Sequence, residues 1–202
     1  MDYEIVVGLE IHSELKTKTK AFCACPNKFG LAINTATCPV CMGMPGALPT
    51  VNQEAVKYSI KSGLAFDCDI NRKIVFERKN YFYPDLSKAY QISQLEFPVA
   101  VNGKIRYKLD GENKFCRINN IHMEEDAGKN IHDDKLKISL VDFNRCGVPL
   151  IEIVTEPDIR SGEEAVKVLE SIKETLLSIG VSDCKMQEGS LRCDVNISLH
   201  KK

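Results

Sequence analysis

Two pairs of cysteines near the start of the chain have spacing that suits a metal site. Cys23 and Cys25 are one residue apart, and Cys38 and Cys41 follow twelve residues later with two residues between them. Four thiolates on tight turns can close a tetrahedral Zn²⁺ site, which is structural because no coordination position stays open. Residues 21–49 are rich in Cys, Pro, Gly and Asn and lack hydrophobic periodicity. This pattern favours a zinc-binding loop over four independent buried thiols.

Carboxylates and a histidine recur on predicted strands. Glu10 and His12 alternate with apolar residues within 3–14, so both fall on one strand face. Glu152 lies inside an apolar run, where an unpaired carboxylate is costly. Further candidates on two other strands are Glu124, Glu125 and Asp194. Ligands from four strands on a shared face would suit Mg²⁺ or another hard cation. The alternative is a set of structural acids paired with Lys and Arg.

A basic aromatic segment, Arg78–Asp85, could hold a phosphate and stack a base. The alternative is a packed aromatic loop with basic side chains that extend into solvent. The chain contains no G-x-x-x-x-G-K-[ST] and no G-x-G-x-x-G motif, so a nucleotide would not be bound by a P-loop or a Rossmann turn. It also lacks the H-E-x-x-H motif of zinc proteases.

The elements that must position these groups predict an α+β fold: a mostly antiparallel sheet with two or three helices on one side. Asn52 and Ser161 are candidate N-caps, and Gly180 is a helix stop. Asn102-Gly103 predicts a tight hairpin turn. The last strand, Leu191–Leu199, is expected to turn its alternate apolar residues inward.

The bulk composition narrows the class of protein. A chain of 202 residues forms one domain or two small ones, and its net charge of −1 excludes a strongly basic nucleic-acid binder, so any RNA contact needs a local basic patch. No apolar run approaches a membrane span, and no export signal is recognisable. Nine cysteines without an export signal predict thiols or metal ligands in a reducing cytoplasm.

Six segments spread over the whole chain carry a family resemblance. They are Gly8–Leu15, Cys38–Gly46, Arg78–Asp85, Glu124–Lys129, Asp142–Leu150 and Gln187–Asn196. In this order they resemble the GatB family, one of the subunits of aspartyl/glutamyl-tRNA(Asn/Gln) amidotransferase. The resemblance implies a carbon–nitrogen ligase with glutamine as amido donor. In that enzyme the GatB subunit works with an amidase subunit and with a small bridging subunit. It uses ATP and Mg²⁺ to phosphorylate the side-chain carboxylate of Glu-tRNA(Gln) or Asp-tRNA(Asn), and ammonia then displaces the phosphate.

The resemblance also implies roles for individual residues. The catalytic set is Glu10, His12 and Glu125. The Mg²⁺ ligands would be Glu10, His12, Glu124, Glu125, Glu152 and Asp194. Lys79 would hold phosphate, while Tyr81 and Ser190 would contact the nucleotide. The family's structural zinc would be bound by Cys23, Cys25, Cys38 and Cys41.

The resemblance further predicts the domain organisation. Residues 1–202 correspond to an N-terminal, truncated cradle-type catalytic domain with a zinc-binding insertion at about 21–49. Family chains continue through the rest of the cradle, a helical domain and a tail domain, and an open edge is expected at Leu191–Leu199. Two other functions fit the residues. One is a non-catalytic, zinc-stapled module for tRNA binding or assembly, and the other is a metal-dependent hydrolase using Glu10, His12 and Glu125.

Overall fold

The computed structural model describes residues 2–201, which contain ten strands and two α-helices. In chain order the elements are β1 (Tyr3–Glu14), α1 (Gln53–Ala65), β2 (Asp69–Ile70), β3 (Glu77–Asn80), β4 (Tyr90–Ser93), β5 (Ala100–Leu109), β6 (Glu112–Glu125), β7 (Lys129–Asp133), β8 (Ile138–Asp142), β9 (Pro149–Thr155), α2 (Gly162–Ser178) and β10 (Leu191–Lys201). Short 3₁₀ turns cover Phe143–Arg145 and Met186–Glu188.

A six-stranded antiparallel sheet organises these elements. Its strand order is β10-β1-β9-β6-β5-β2, so strands that are distant in sequence become neighbours. Two small antiparallel sheets, β3-β4 and β7-β8, complete the strands of the described residues. The predicted α+β class with a mostly antiparallel sheet is confirmed.

The hydrophobic core lies between one face of the large sheet and the two helices. Ile11, Ile153 and Ile121 are register partners on three adjacent strands, and all three are fully buried. Val168 and Ile172 of α2 belong to the same core cluster. Burial of each such side chain stabilises the fold by about 1.5–3 kcal/mol. The opposite sheet face is therefore free for polar side chains. Neither helix within residues 2–201 is long and apolar enough to cross a membrane.

The helix boundaries follow the capping residues that the sequence predicts. Asn52 accepts hydrogen bonds from the first-turn amides of α1, and the Ser161 hydroxyl accepts one from the Glu164 amide. The Glu164 carboxylate accepts from the amide of Arg160, which satisfies another free donor at this end of α2. Gly180 has a φ of +69°, as expected of a residue that ends a helix.

The predicted hairpin turn at Asn102-Gly103 is wrong. Both residues lie inside β5, and the turn to β6 is made by Asp110 and Gly111, with φ values of +52° and +83°. Asn102 adopts its left-handed conformation (φ +59°) within the strand. Gly103 is required there because a Cβ would collide with the sulfur of Cys68. The Asn-Gly pair therefore serves a close contact within the sheet.

The expected inward face of the last strand is only partly buried. Leu191 is buried, but Val195, Ile197 and Leu199 are 51–66% exposed. Their register partners on β1 place them on the same side as the core. The helices, however, pack mainly against β5, β6 and β2 at the other end of the sheet. Because β10 is an edge strand, its apolar row extends beyond the helical layer.

Candidate functional site

Three side chains form a row across the polar face of the large sheet. Strand β9 lies between β1 and β6, and Glu152 is the register partner of His12 on one side and of His122 on the other. The Oε2 atom of Glu152 lies 3.3 Å from His12 Nε2 and 3.1 Å from His122 Nε2. His122 Nδ1 lies 2.9 Å from the side-chain oxygen of Asn120. One carboxylate oxygen thus joins two imidazoles.

Glu124 adds a second carboxylate beside this row. Its Oε1 lies 3.3 Å from His12 Nε2. His12, Glu124 and Glu152 together offer ligand atoms within 4.8 Å of one another. This is a distance range that a single metal ion can bridge.

The electrostatics of the cluster reflect burial and close contact. Burial raises the pKa of Glu124 to about 7, against the opposing effect of His12. Burial also acts to raise the pKa of Glu152, but hydrogen bonds from His12 and His122 outweigh it and hold that pKa well below its usual range. Burial alone would lower the pKa of His12, yet the hydrogen bond to Glu152 and the charge of Glu124 raise it. A divalent cation would relieve the repulsion between the two carboxylates.

Strand β10 brings two more polar groups to the edge of the cluster. Asp194 is the register partner of Glu10, and its Oδ2 lies 4.0 Å from His12 Nδ1. The Asp194 side chain is 75% exposed, so it can approach a ligand from solvent. The amide of Asn196 donates to Glu10 Oε1 at 2.8 Å and orients that carboxylate.

A cleft of about 390 Å³ contains the cluster and adds cations to it. Lys79 enters from β3, and its ammonium lies 6.0 Å from the centre of the Tyr81 ring. Within residues 2–201 Lys79 forms no salt bridge, so its charge is available for an anionic ligand. Arg192 also lines the cleft and donates to both oxygens of Asp126, at 3.2 and 2.7 Å. The cleft thus combines metal ligands with a free cation and an aromatic ring.

Most of the site residues predicted from the sequence lie in this cleft. They are Glu10, His12, Lys79, Tyr81, Glu124, Glu152 and Asp194. Glu125 and Ser190 do not line it.

The structure does not bring Glu125 to the cluster, contrary to the prediction. Successive residues of a strand point to opposite faces, so Glu124 faces the cleft while Glu125 shares the core side with Met123. The Glu125 carboxylate accepts hydrogen bonds from Lys88 Nζ at 2.5 Å and from the Ile92 amide at 2.9 Å.

Ser190 is likewise placed outside the cleft. It is 5% exposed, and its hydroxyl donates to Asp183 Oδ1 at 2.5 Å. The same oxygen accepts from the Lys185 amide at 2.8 Å. These bonds tie down the turn before β10, so the expected nucleotide contact from Ser190 is not supported by its position.

Three residues of the site were missed by reasoning from the sequence. His122 lies two residues before Glu124, and this period-two spacing was the available signal for it. Arg192 is the register partner of His12, and Asp126 is the acceptor for Arg192. No local pattern connects these three groups, because they meet only through strand pairing.

The four predicted zinc ligands converge in the loop before α1. The sulfur atoms of Cys23, Cys25, Cys38 and Cys41 all lie within 4.8 Å of one another. Sulfur atoms around a tetrahedral Zn²⁺ are about 3.8 Å apart for a Zn–S distance of about 2.3 Å. The Cys38 amide donates to Cys41 Sγ at 3.2 Å, which favours a thiolate there. A hydrogen bond from Cys23 lowers the pKa of Cys41 to about 4, against the effect of burial.

A buried lysine supports the interpretation of this cluster as anionic. Lys20 is fully buried, and its ammonium donates to the Ala36 carbonyl at 2.7 Å and lies 3.7 Å from Cys41 Sγ. A buried ammonium is costly unless an anion compensates it. Because four thiolates around Zn²⁺ carry a net negative charge, the donor set and Lys20 together fit a zinc site.

Fold and site together define an α+β domain with a candidate metal and phosphate cleft on one sheet face and a four-cysteine loop beside it. The chain belongs to the GatB/GatE catalytic domain family, whose sequence model matches residues 5–202.

Curated relatives of the chain share one name, that of the GatB subunit of aspartyl/glutamyl-tRNA(Asn/Gln) amidotransferase. The relative from Caldicellulosiruptor saccharolyticus is 59% identical over 202 residues, which is 100% of this chain and 42% of the relative. The protein of the same name from Lachnoclostridium phytofermentans is 57% identical over 98% of this chain and 42% of its own length. That from Anaeromyxobacter sp. (strain K) is 54% identical with 100% and 42% coverage. The chain therefore spans less than half the length of these relatives.

Proposed function

We propose that this chain is a catalytic domain of an aspartyl/glutamyl-tRNA amidotransferase, working on misacylated tRNA in the cytoplasm. In this proposal it uses ATP and Mg²⁺ to phosphorylate the side-chain carboxylate of Glu-tRNA(Gln) or Asp-tRNA(Asn). Ammonia from an amidase subunit, held in a complex that also contains a small bridging subunit, then amidates the activated carboxylate. The observation that carries the proposal is the cleft in which His12, Glu124 and Glu152 meet Lys79 and Tyr81.

The metal would be held by Glu124 and Glu152, with His12 beside them and Glu10 and Asp194 at the edge. Carboxylate oxygens suit Mg²⁺, while an imidazole ligand suits Mn²⁺ as well. The donor chemistry therefore fits a divalent cation that bridges phosphates. When bound, the cation supplies neutralisation of the charge on the transferred phosphoryl group.

The cations and the ring in the cleft would position the two substrates. Lys79, which has no carboxylate partner in the described part of the chain, would pair with the ATP phosphates. Tyr81 would offer its face to the nucleotide. Arg192 is held by Asp126 and points toward the row of His12, so it would orient the substrate carboxylate. That carboxylate attacks the γ-phosphorus and ADP leaves; ammonia then attacks the acyl carbon and phosphate leaves.

The four-cysteine loop would hold a structural Zn²⁺. It lies next to the cleft because Glu125, which follows Glu124, and Cys41 line one small cavity. The zinc would thus fix the wall behind the catalytic face without taking part in the reaction.

The first test is calorimetric titration of the full chain with ATP, with and without Mg²⁺. We expect binding that requires Mg²⁺ and that is strongly weakened by Glu152→Gln. Glu112→Gln, an exposed change at the distant end of β6, is the matched control and should bind as the wild type does. Nucleotide binding that is absent, or that is indifferent to Mg²⁺, would contradict the proposal.

The second test is ammonia-dependent amidation of Glu-tRNA(Gln) and Asp-tRNA(Asn) with the chain combined with the amidase and small subunits. The non-catalytic alternative is favoured by the four-cysteine loop alone. It predicts binding of tRNA or of the other subunits that is unchanged in Glu10→Ala and His12→Ala, with no amidation by the wild type.

A further inference from the structure

A second groove lies along the free edge of β5, between the β5–β6 hairpin and α2. Its volume is about 860 Å³, and none of its lining residues lines the catalytic cleft. From Gly103 onward β5 pairs only with β6, so this edge of the sheet faces the groove. The ionisable side chains lining it are Lys104, Arg106, Lys108, Lys114, Lys167, Glu170 and Glu174.

The groove concentrates positive charge in a chain that is nearly neutral. Five cations face two carboxylates there, whereas the whole chain has a net charge of −1. Arg106 pairs with Asp67 at 2.6 Å. Among residues 2–201 no salt bridge involves Lys104, Lys108 or Lys114. Three uncompensated ammonium groups on one groove predict an anionic partner.

The arrangement of these groups fits a repeating anion better than a single one. Lys104, Arg106 and Lys108 alternate along β5, so they share one face at intervals of about 7 Å. Phe115 is the register partner of Arg106, and its ring is 55% exposed. The ammonium of Lys104 lies 5.5 Å from the centre of that ring. A charged groove with an exposed aromatic ring is how proteins bind an RNA backbone and stack an unpaired base.

We propose that this groove binds the sugar–phosphate backbone of RNA, with Lys104, Arg106, Lys108 and Lys114 on phosphates and Phe115 against an unpaired base. The inference rests on the proposed function only in identifying the RNA as tRNA. An acidic protein segment would also meet the charge, but it would leave the exposed ring without a stacking partner.

The test is fluorescence anisotropy of the full chain with labelled tRNA(Gln) at a series of salt concentrations. The groove variant carries Lys104→Gln, Lys108→Gln and Lys114→Gln. The control variant carries Lys57→Gln, Lys135→Gln and Lys137→Gln, exposed lysines elsewhere, and therefore has the same net charge. The groove variant should lose about tenfold or more in affinity at low salt, and its slope of log affinity against log salt should become shallower by about 2–3.

Phe115→Leu separates stacking from charge. It should weaken tRNA binding about fivefold or more while leaving the salt slope unchanged. Circular dichroism of each variant verifies that the fold is retained.

The outcomes separate this inference from the proposed function. Equal tRNA affinity in the groove and control variants would overturn the groove assignment, while Mg²⁺-dependent ATP binding by both would leave the proposed function standing. No tRNA binding by the wild type would also overturn it. Binding of poly-glutamate through the same three lysines, with no preference for tRNA, would overturn RNA in favour of an acidic protein partner. Loss of ATP binding in the wild type would refute the proposed function alone.

Discussion

Replacing Glu124 with Gln should stabilise the metal-free protein at alkaline pH. Glu124 is 3% exposed, and burial raises its pKa from 4.5 to about 7. Between these two values the folded state binds a proton that the unfolded state has released. The free energy of unfolding therefore falls as the pH rises through this window. Gln has nearly the same shape, retains an acceptor for His12 and carries no charge.

The magnitude follows from the two pKa values of Glu124. The destabilisation by its ionisation is under about 1 kcal/mol at pH 5 and about 3 kcal/mol at pH 8. Glu124→Gln should therefore add about 2–3 kcal/mol to the free energy of unfolding at pH 8 relative to its effect at pH 5.

Urea denaturation in EDTA at pH 5, 6, 7 and 8 measures this difference. Glu96→Gln, on an exposed loop, is the matched control and should change the free energy of unfolding by within about 0.5 kcal/mol at every pH. Adding Mg²⁺ at pH 8 should stabilise the wild type more than the variant, by up to about 3 kcal/mol at a hundredfold excess over the dissociation constant.

Two results would refute this reasoning. A stability gain that does not depend on pH would show that the charge of Glu124 is not its cause. A loss of stability at pH 8 would show that the ionised carboxylate is already compensated by its protein neighbours.

Three further predictions concern the loop, the sheet and the helix. Lys20→Met should weaken zinc retention about 10- to 100-fold in a chelator competition assay, because it removes a buried charge beside a thiolate, whereas exposed Lys18→Met should not. Gly103→Ala should destabilise the fold by about 1–3 kcal/mol in urea, since its Cβ would collide with a core sulfur. Gly162→Ala has open space and should be neutral or stabilising; an equal loss at both glycines would contradict the packing argument. Tyr107→Phe should destabilise by about 1–3 kcal/mol, because its hydroxyl donates to a buried carboxylate of α2 at 2.7 Å; an unchanged denaturation midpoint would refute that role.

Local signals predicted a large part of the fold. The N-caps at Asn52 and Ser161, the stop at Gly180 and the alternation of β1 depend on residues within one or two turns or pleats of each other. The spacing of the four cysteines is also local to one loop. Such patterns survive in the structure because short-range backbone geometry determines them.

Local signals were misleading where a distant partner decided the conformation. Asn102-Gly103 has the composition of a hairpin turn, but the core sulfur of Cys68 requires a glycine at that point inside β5. The apolar alternation of β10 predicts burial, but that burial depends on an element above it, and the helices lie over other strands.

The sequence by itself determined which residue types were available: a four-cysteine loop, acids on four strands and a basic aromatic segment. Only the tertiary structure decided which of them meet. Glu152 joins His12 to His122 because β9 pairs with both β1 and β6 in one register. Glu124 faces the cleft and Glu125 turns away because the strand remains regular to its end. Strand register is set by long-range packing of the opposite apolar face, so no local pattern contains it.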